Sequence, residues 1–122
     1  MTCRKTFASI ILVFVLASQA FAQFDISGTW EARYMGTDIT VHVDNADGAV
    51  SGVLIVHEAK GDNMYHFTGT LRGNAIEAAH TDGHSFRGHV ISDERVVGTL
   101  TTKKGVSVEV DFSRTSRQTC GK

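Results

Sequence analysis

The sequence predicts an all-β protein: a single-domain, eight-stranded antiparallel up-and-down β-barrel. Three observations predict it. Beyond residue 22 no segment carries a helical period, and apolar residues recur at every second position instead. These alternating runs are short and are separated by Gly, Asp and Asn, the residues that turn a chain between strands. Finally, the turn lengths between successive runs keep one apolar face opposite the next, which random polar alternation would not do. A flat meander of eight strands would leave two long unpaired edges, so the sheet is expected to close on itself.

The first 22 residues stand apart from this pattern. Arg4 and Lys5 precede an apolar run over Phe7–Leu16, and Ala20-Phe21-Ala22 follows. That is the charged, apolar and small-residue order of a secretory signal peptide, with an apolar run too short to span a bilayer. The expected division is a signal peptide over 1–22, a barrel domain over 23–115 and a polar C-terminal tail over 116–122. Cleavage near Ala22 would make the mature chain a secreted or periplasmic protein with no membrane span. Cys3 would leave with the signal, and Cys120 would stand alone in the tail, read as a free thiol rather than an intermolecular link. No intrachain disulfide is then available, and one core must hold the domain. Loss of Arg4 and Lys5 from the 12 basic residues leaves the 13 acidic ones in excess. That balance excludes a nucleic-acid binder, which needs a basic face, and an anionic-membrane binder.

The strands follow in order. Gly28–Tyr34 carries Trp30, Ala32 and Tyr34 on one face, and Asp38–Asp44 carries Ile39, Val41 and Val43. Asn45-Ala46-Asp47-Gly48 turns into Ala49–His57, with Val50, Gly52, Leu54 and Val56 inward. A longer polar loop, Glu58–Met64, leads to Tyr65–Arg72, with Tyr65, Phe67, Gly69 and Leu71. Gly73-Asn74 is a two-residue hairpin turn of the primed type. It opens Ala75–His80, with Ile76, Ala78 and His80. Thr81-Asp82-Gly83 fits the three-residue hairpin that ends in a left-handed Gly. It opens His84–Ile91, with His84, Phe86, Gly88 and Val90. Ser92-Asp93-Glu94 leads to Arg95–Thr102, with Val96, Gly98 and Leu100, and Lys103-Lys104-Gly105 leads to Val106–Arg114. The last strand turns Val106, Val108, Val110 and Phe112 inward.

Counting through these turns opposes Leu71 with Ile76, Ala78 with Phe86, His80 with His84, Val90 with Val96 and Leu100 with Val108. It also opposes Trp30 with Val43, and Val43 with Val50. The outward face is mostly polar, with Glu77 and Arg87 as expected cross-strand neighbours. Val53, Ile55 and Val97 also point outward, as scattered surface residues or as part of an oligomer contact.

A Gly-x-Trp at the start of the first strand, Gly28-Thr29-Trp30, together with Arg114 ending the last strand, resembles the calycin superfamily of lipocalins, fatty-acid-binding proteins, avidins and barrel-type metalloprotease inhibitors. The resemblance implies that Trp30 closes one end of the barrel and that Arg114 packs across it, with Gly28 completing the motif. It also implies a small apolar or amphipathic ligand inside the barrel. The chain has a single tryptophan where avidins surround biotin with several. It has no inward basic pair of the kind that grips a fatty-acid carboxylate.

Up-and-down order assigns the ends. Trp30, Leu71, Ile76, Val90, Val96 and Phe112 share the end where the chain enters and leaves. Tyr34, Tyr65, His80 and His84 share the other, beside the Glu58–Met64 loop, and are the expected ligand-binding mouth. Between the ends Ala32, Gly52, Gly69, Ala78, Gly88 and Gly98 form a belt of small residues. Either Trp30, Phe67 and Phe86 fill that space, or it is a ligand cavity. His80 and His84, opposed on one hairpin face, are also the candidate metal or haem ligands, without an evident third partner. His42, His57, His66 and His89 fall on the outward face. No nucleophile, zinc-protease or phosphate-loop motif is present, so the chain is expected to bind without catalysis and without a cofactor, the lesser alternative being a small enzyme with acid–base work by His80 or His84. The alternative partner is another exported protein, as for a peptidase inhibitor or an envelope component, docked through a loop or through residues 23–27.

Overall fold

The computed structural model of the chain describes residues 24–117. The expected signal peptide and Cys120 lie outside the described residues. Eight strands close into one barrel, each hydrogen-bonded to its neighbours in chain order: β1 (Gly28–Tyr34), β2 (Thr37–Ala46), β3 (Ala49–Glu58), β4 (Gly61–Arg72), β5 (Ala75–His80), β6 (Ser85–Ser92), β7 (Arg95–Thr101) and β8 (Ser107–Arg117). Every adjacent pair is antiparallel, and β8 returns to β1. Closure removes both sheet edges, as the alternation requires.

The inward face is the one read from the alternation except at Val106, which lies ahead of β8 in the turn and is exposed. Trp30, Ile39, Val41, Val50, Leu71, Ile76, Val90, Val96, Val110 and Phe112 form the buried core. The opposed pairs Leu71–Ile76, Ala78–Phe86, Val90–Val96 and Leu100–Val108 stand as counted. His80 and His84 also face each other: the His80 amide donates to the His84 carbonyl at 2.9 Å, closing the three-residue turn.

Two counted pairs differ. Trp30 lies opposite Val41, and Val43 opposite Gly52, because the first two hairpins turn more tightly than the polar residues indicate. Met35-Gly36 and Asp47-Gly48 are two-residue turns with φ of 52° and 82°, and 54° and 89°. That left-handed pair is the type I′ geometry that matches strand twist. Asn45 and Ala46, expected in the turn, extend β2. Each register moves by two residues, and a shift of two leaves every side chain on its own face.

The expected long loop at Glu58–Met64 is also replaced by strand. Only Ala59 and Lys60 turn, and Glu58 pairs with Gly61. The polar composition hid the strands, but ladder hydrogen bonds are made by the backbone whatever the side chain. A cross-strand contact between His57 Nδ1 and Asp62 Oδ1 at 3.0 Å supports the extension. At the far terminus β8 runs on to Arg117, so Ser116 and Arg117, expected in the tail, pair with Thr29 and Gly28.

One end of the barrel is sealed. Phe24 to Ser27 fold across it before β1 starts, with Ile26 buried and Phe24 packed on the core. The Trp30 indole Nε1–H donates to the Ile26 carbonyl at 2.9 Å. A register shift between β1 and β8 at Thr29/Trp30 sets Arg114 opposite Trp30, and the guanidinium carbon lies 4.7 Å from the centre of the indole. Arg114 also donates to three backbone carbonyls, of Asp93 at 2.9 Å, Ser27 at 3.0 Å and Asp25 at 2.6 Å. Burial, then the nearby Arg117 charge, pulls the guanidinium down from its usual range, while Asp25, Asp93 and Glu94 oppose that pull. Gly28 makes the join feasible: its φ is 140°, and a Cβ there would collide with the Ser116 carbonyl.

Inside the barrel, the belt of small residues seats two phenyl rings. A Cβ on Gly52 would lie 2.9 Å from Phe67 Cζ, and one on Gly98 would lie 2.5 Å from Phe86 Cζ. Phe86 in turn meets Phe112 edge to face, with ring centres 5.9 Å apart.

On the outer surface Glu77 and Arg87 form the expected pair at 3.4 Å, with both side chains largely exposed. Such a pair is worth ~0.2–1 kcal/mol. Arg95 and Asp111 make a shorter, two-pronged contact at 3.0 and 2.7 Å, which lowers the Asp111 carboxyl pKa through the Arg95 hydrogen bond. Val53 and Ile55 on β3 and Val97 on β7 sit four strands apart in an eight-stranded ring, on opposite sides, and so form no single patch.

Two substitutions test this account by urea unfolding. Trp30→Ala should destabilise the protein by about 3–5 kcal/mol as a core truncation. Gly98→Ala should cost about 1–3 kcal/mol through overpacking, because the added Cβ would lie 2.5 Å from both the Arg87 carbonyl and Phe86 Cζ. A neutral result for Gly98→Ala would mean that the belt does not seat that ring.

Candidate functional site

The phenyl rings do not fill the barrel. A cavity of about 280 Å³ remains, with Trp30, Val50 and Phe112 at the sealed end, Ala78 and Phe86 along it, and Tyr65, His80, His84 and Thr102 toward the other end. The lining contains no Asp, Glu, Lys or Arg. Polar side chains gather toward one end, so the cavity is apolar in depth and polar at its mouth.

The structure brings three of the four expected mouth residues together. Tyr65 stands edge-on to both imidazoles, with ring centres 5.4 Å from His80 and 5.5 Å from His84. The two imidazoles lie 5.8 Å apart, tilted by 30°. Tyr65 reaches this place from β4, His80 from the end of β5, and His84 from just before β6. Tyr34 does not join them. It ends β1 opposite Thr37, is 37% exposed, and is absent from the cavity wall.

Both imidazoles are anchored by turns. His80 Nδ1 accepts the Asp82 backbone N–H at 3.1 Å, within its own hairpin. His84 Nδ1 accepts the Lys103 backbone N–H at 3.2 Å, from the turn between β7 and β8. Asp82 Oδ2 stands 4.0 Å from His80 Nδ1, outside hydrogen-bond reach. Among the described residues no group of three or more His, Cys, Asp or Glu side chains is placed to hold a metal ion. The outward histidines have surface roles: His42 meets Thr29 Oγ1 at 3.1 Å, and His57 meets Thr40 Oγ1 at 2.9 Å. His66 and His89 are exposed.

Gly28, Trp30 and Arg114 stand together at the sealed end. Trp30 has a second place as well: it is also part of the cavity floor. The segment before β1, considered above for docking a protein partner, is the plug of that end, with Ile26 and Ser27 buried. The sequence marked neither the plug nor the Lys103 anchor. Phe24 and Ile26 continue the alternation ahead of Gly28, which was a usable signal. The Lys103 contact spans 19 residues and involves only a backbone amide, for which no residue type is diagnostic.

No protein-family model matches the chain, and comparison with curated proteins gives no match. What the geometry defines is a class: a small closed antiparallel barrel with one sealed end and a single-ended apolar cavity. A ligand that fills the cavity must touch its floor, so saturable binding should change the emission of Trp30, the sole tryptophan. Binding without such a change, followed by fluorescence titration, would place the ligand elsewhere.

Proposed function

We propose that this is an exported, non-enzymatic binding protein that carries one small apolar or amphipathic ligand inside a barrel of the calycin type. The observation that carries the reading is the cavity of about 280 Å³ with an apolar wall and a polar mouth. Engineered apolar cavities of ~150 Å³ stay dry and take up benzene, so a larger molecule than benzene fits here. A void of that size left empty would be a standing cost to stability, because its lining loses dispersion contacts. A bound ligand removes that cost. The calycin resemblance is supported by the closed eight-stranded ring and by Arg114 lying across Trp30, the arrangement that resemblance implies. Export is supported by the Arg4-Lys5, apolar-run and Ala20-Phe21-Ala22 order of the leader.

Native mass spectrometry of the protein purified from its own host tests the reading. A bound small molecule is expected, and Ala78→Leu, which fills the middle of the cavity, should abolish it in a folded protein. At a hundredfold excess over Kd the ligand should stabilise the barrel by about 2.7 kcal/mol. A clean apo mass, with an unfolding midpoint unmoved by panels of lipids and hydrophobic compounds, would overturn it.

A further inference from the structure

We infer that the mouth selects ligands by an oxygen head group that accepts hydrogen bonds, a carboxylate or a carbonyl, held by His80 Nε2–H and His84 Nε2–H. The inference rests on the cavity being a ligand site, as proposed above.

The tautomers carry it. A ring nitrogen that accepts an N–H bond presents its lone pair there and has no proton. His80 Nδ1 accepts from Asp82, and His84 Nδ1 accepts from Lys103. Each neutral imidazole therefore keeps its proton on Nε2. Two separate turns impose the same tautomer on two neighbouring rings. Nε2 lies on the ring edge away from the turn, and neither Nε2 has a hydrogen-bond partner among the described residues. The Tyr65 hydroxyl, on the ring packed against both imidazoles, has none either. The mouth thus presents fixed donors beside an apolar cavity, and the rings need no reorganisation before an acceptor arrives.

The same bonds turn other heads away. A metal ion bound at Nε2 needs the lone pair there, which moves the proton to Nδ1. That N–H would then face the Asp82 or Lys103 N–H at 3.1 or 3.2 Å, and each anchoring hydrogen bond would be lost. An ammonium head would meet both imidazole N–H donors, with only hydroxyl oxygens to accept from it and no carboxylate in the cavity wall to balance its charge.

The test uses the full chain and two probes of equal chain length, octanoate and octylammonium, each displacing the neutral fluorophore phenylnaphthylamine. Octanoate should bind roughly tenfold or more tightly than octylammonium, as a single charged hydrogen bond is enough to provide. His80→Phe with His84→Phe should remove that preference while phenylnaphthylamine still binds, which shows that the barrel has folded. Equal affinities, or a preference for octylammonium, would overturn the inference and leave the binding reading standing. No binding of phenylnaphthylamine or of either probe would overturn both. Nitrogen NMR of the free protein at neutral pH should show both Nδ1 atoms bare and both Nε2 atoms protonated; the opposite tautomer at either ring refutes the assignment. Zinc alone should bind no more tightly to the native chain than to the double variant.

Discussion

The contact on which the rest of the barrel depends is Arg114 against Trp30. One guanidinium lies on the indole face and donates to the carbonyls of Asp93, Ser27 and Asp25. It therefore ties the last strand, the turn between β6 and β7, and the segment that enters β1. These are the places where a closed meander is least constrained, since β1 and β8 are joined only through the sheet. Charged donors to carbonyls contribute more than neutral ones, and of the three the bond to Ser27 is the one partly shielded from water. The bulge at Thr29/Trp30 aims the side chain, and Gly28 lets the two backbones approach. Among the described residues no cysteine is present, and this polar clamp does the work of a covalent staple.

A sealed end gives the interior its direction. Indole, Ile26 and Phe24 stop the barrel at the clamp, so the space between the phenyl rings opens only away from it. The small residues of the belt have two effects at once. They let Phe67 and Phe86 lie close to the wall, and they leave the centre unfilled because the rings are seated to the side. Packing and open space are both present: Phe67 and Phe86 lie against the belt, and a void remains between them. A filled wall and an empty centre come from the same glycines.

The mouth draws on three parts of the chain. Tyr65 comes from the fourth strand, His80 and His84 from one hairpin, and the amide that orients His84 from a turn 19 residues further on. The polar groups are few and fixed, and the wall behind them is apolar. That combination suits a ligand with one polar end, and it is the basis for proposing an amphipathic cargo in place of a metal or a reaction.

The two-residue period fixed which side chains face inward, and the turn chemistry of Gly73-Asn74, Thr81–Gly83 and Lys103–Gly105 fixed most of the register. Closure also followed from the sequence, because eight alternating strands have no other way to lose their edges. Backbone pairing runs past the alternating pattern at Asn45-Ala46, Glu58–Met64 and Ser116-Arg117, where side chains give no apolar period. Hydrogen-bonded ladders do not require apolar side chains, so composition could not mark their ends. The meeting of Tyr65 with both histidines was legible from hairpin parity. The exclusion of Tyr34 was not, because it depends on how far each strand rises around a tilted barrel. Sequence alone determined the inward face and the antiparallel order, since both are local periodic properties. The contact of Arg114 with Trp30 was implied by the calycin resemblance, but only tertiary structure decided its carbonyl partners, the size of the cavity and the tautomers at its mouth. Each of those depends on distances between residues far apart in the chain, and no local pattern encodes them.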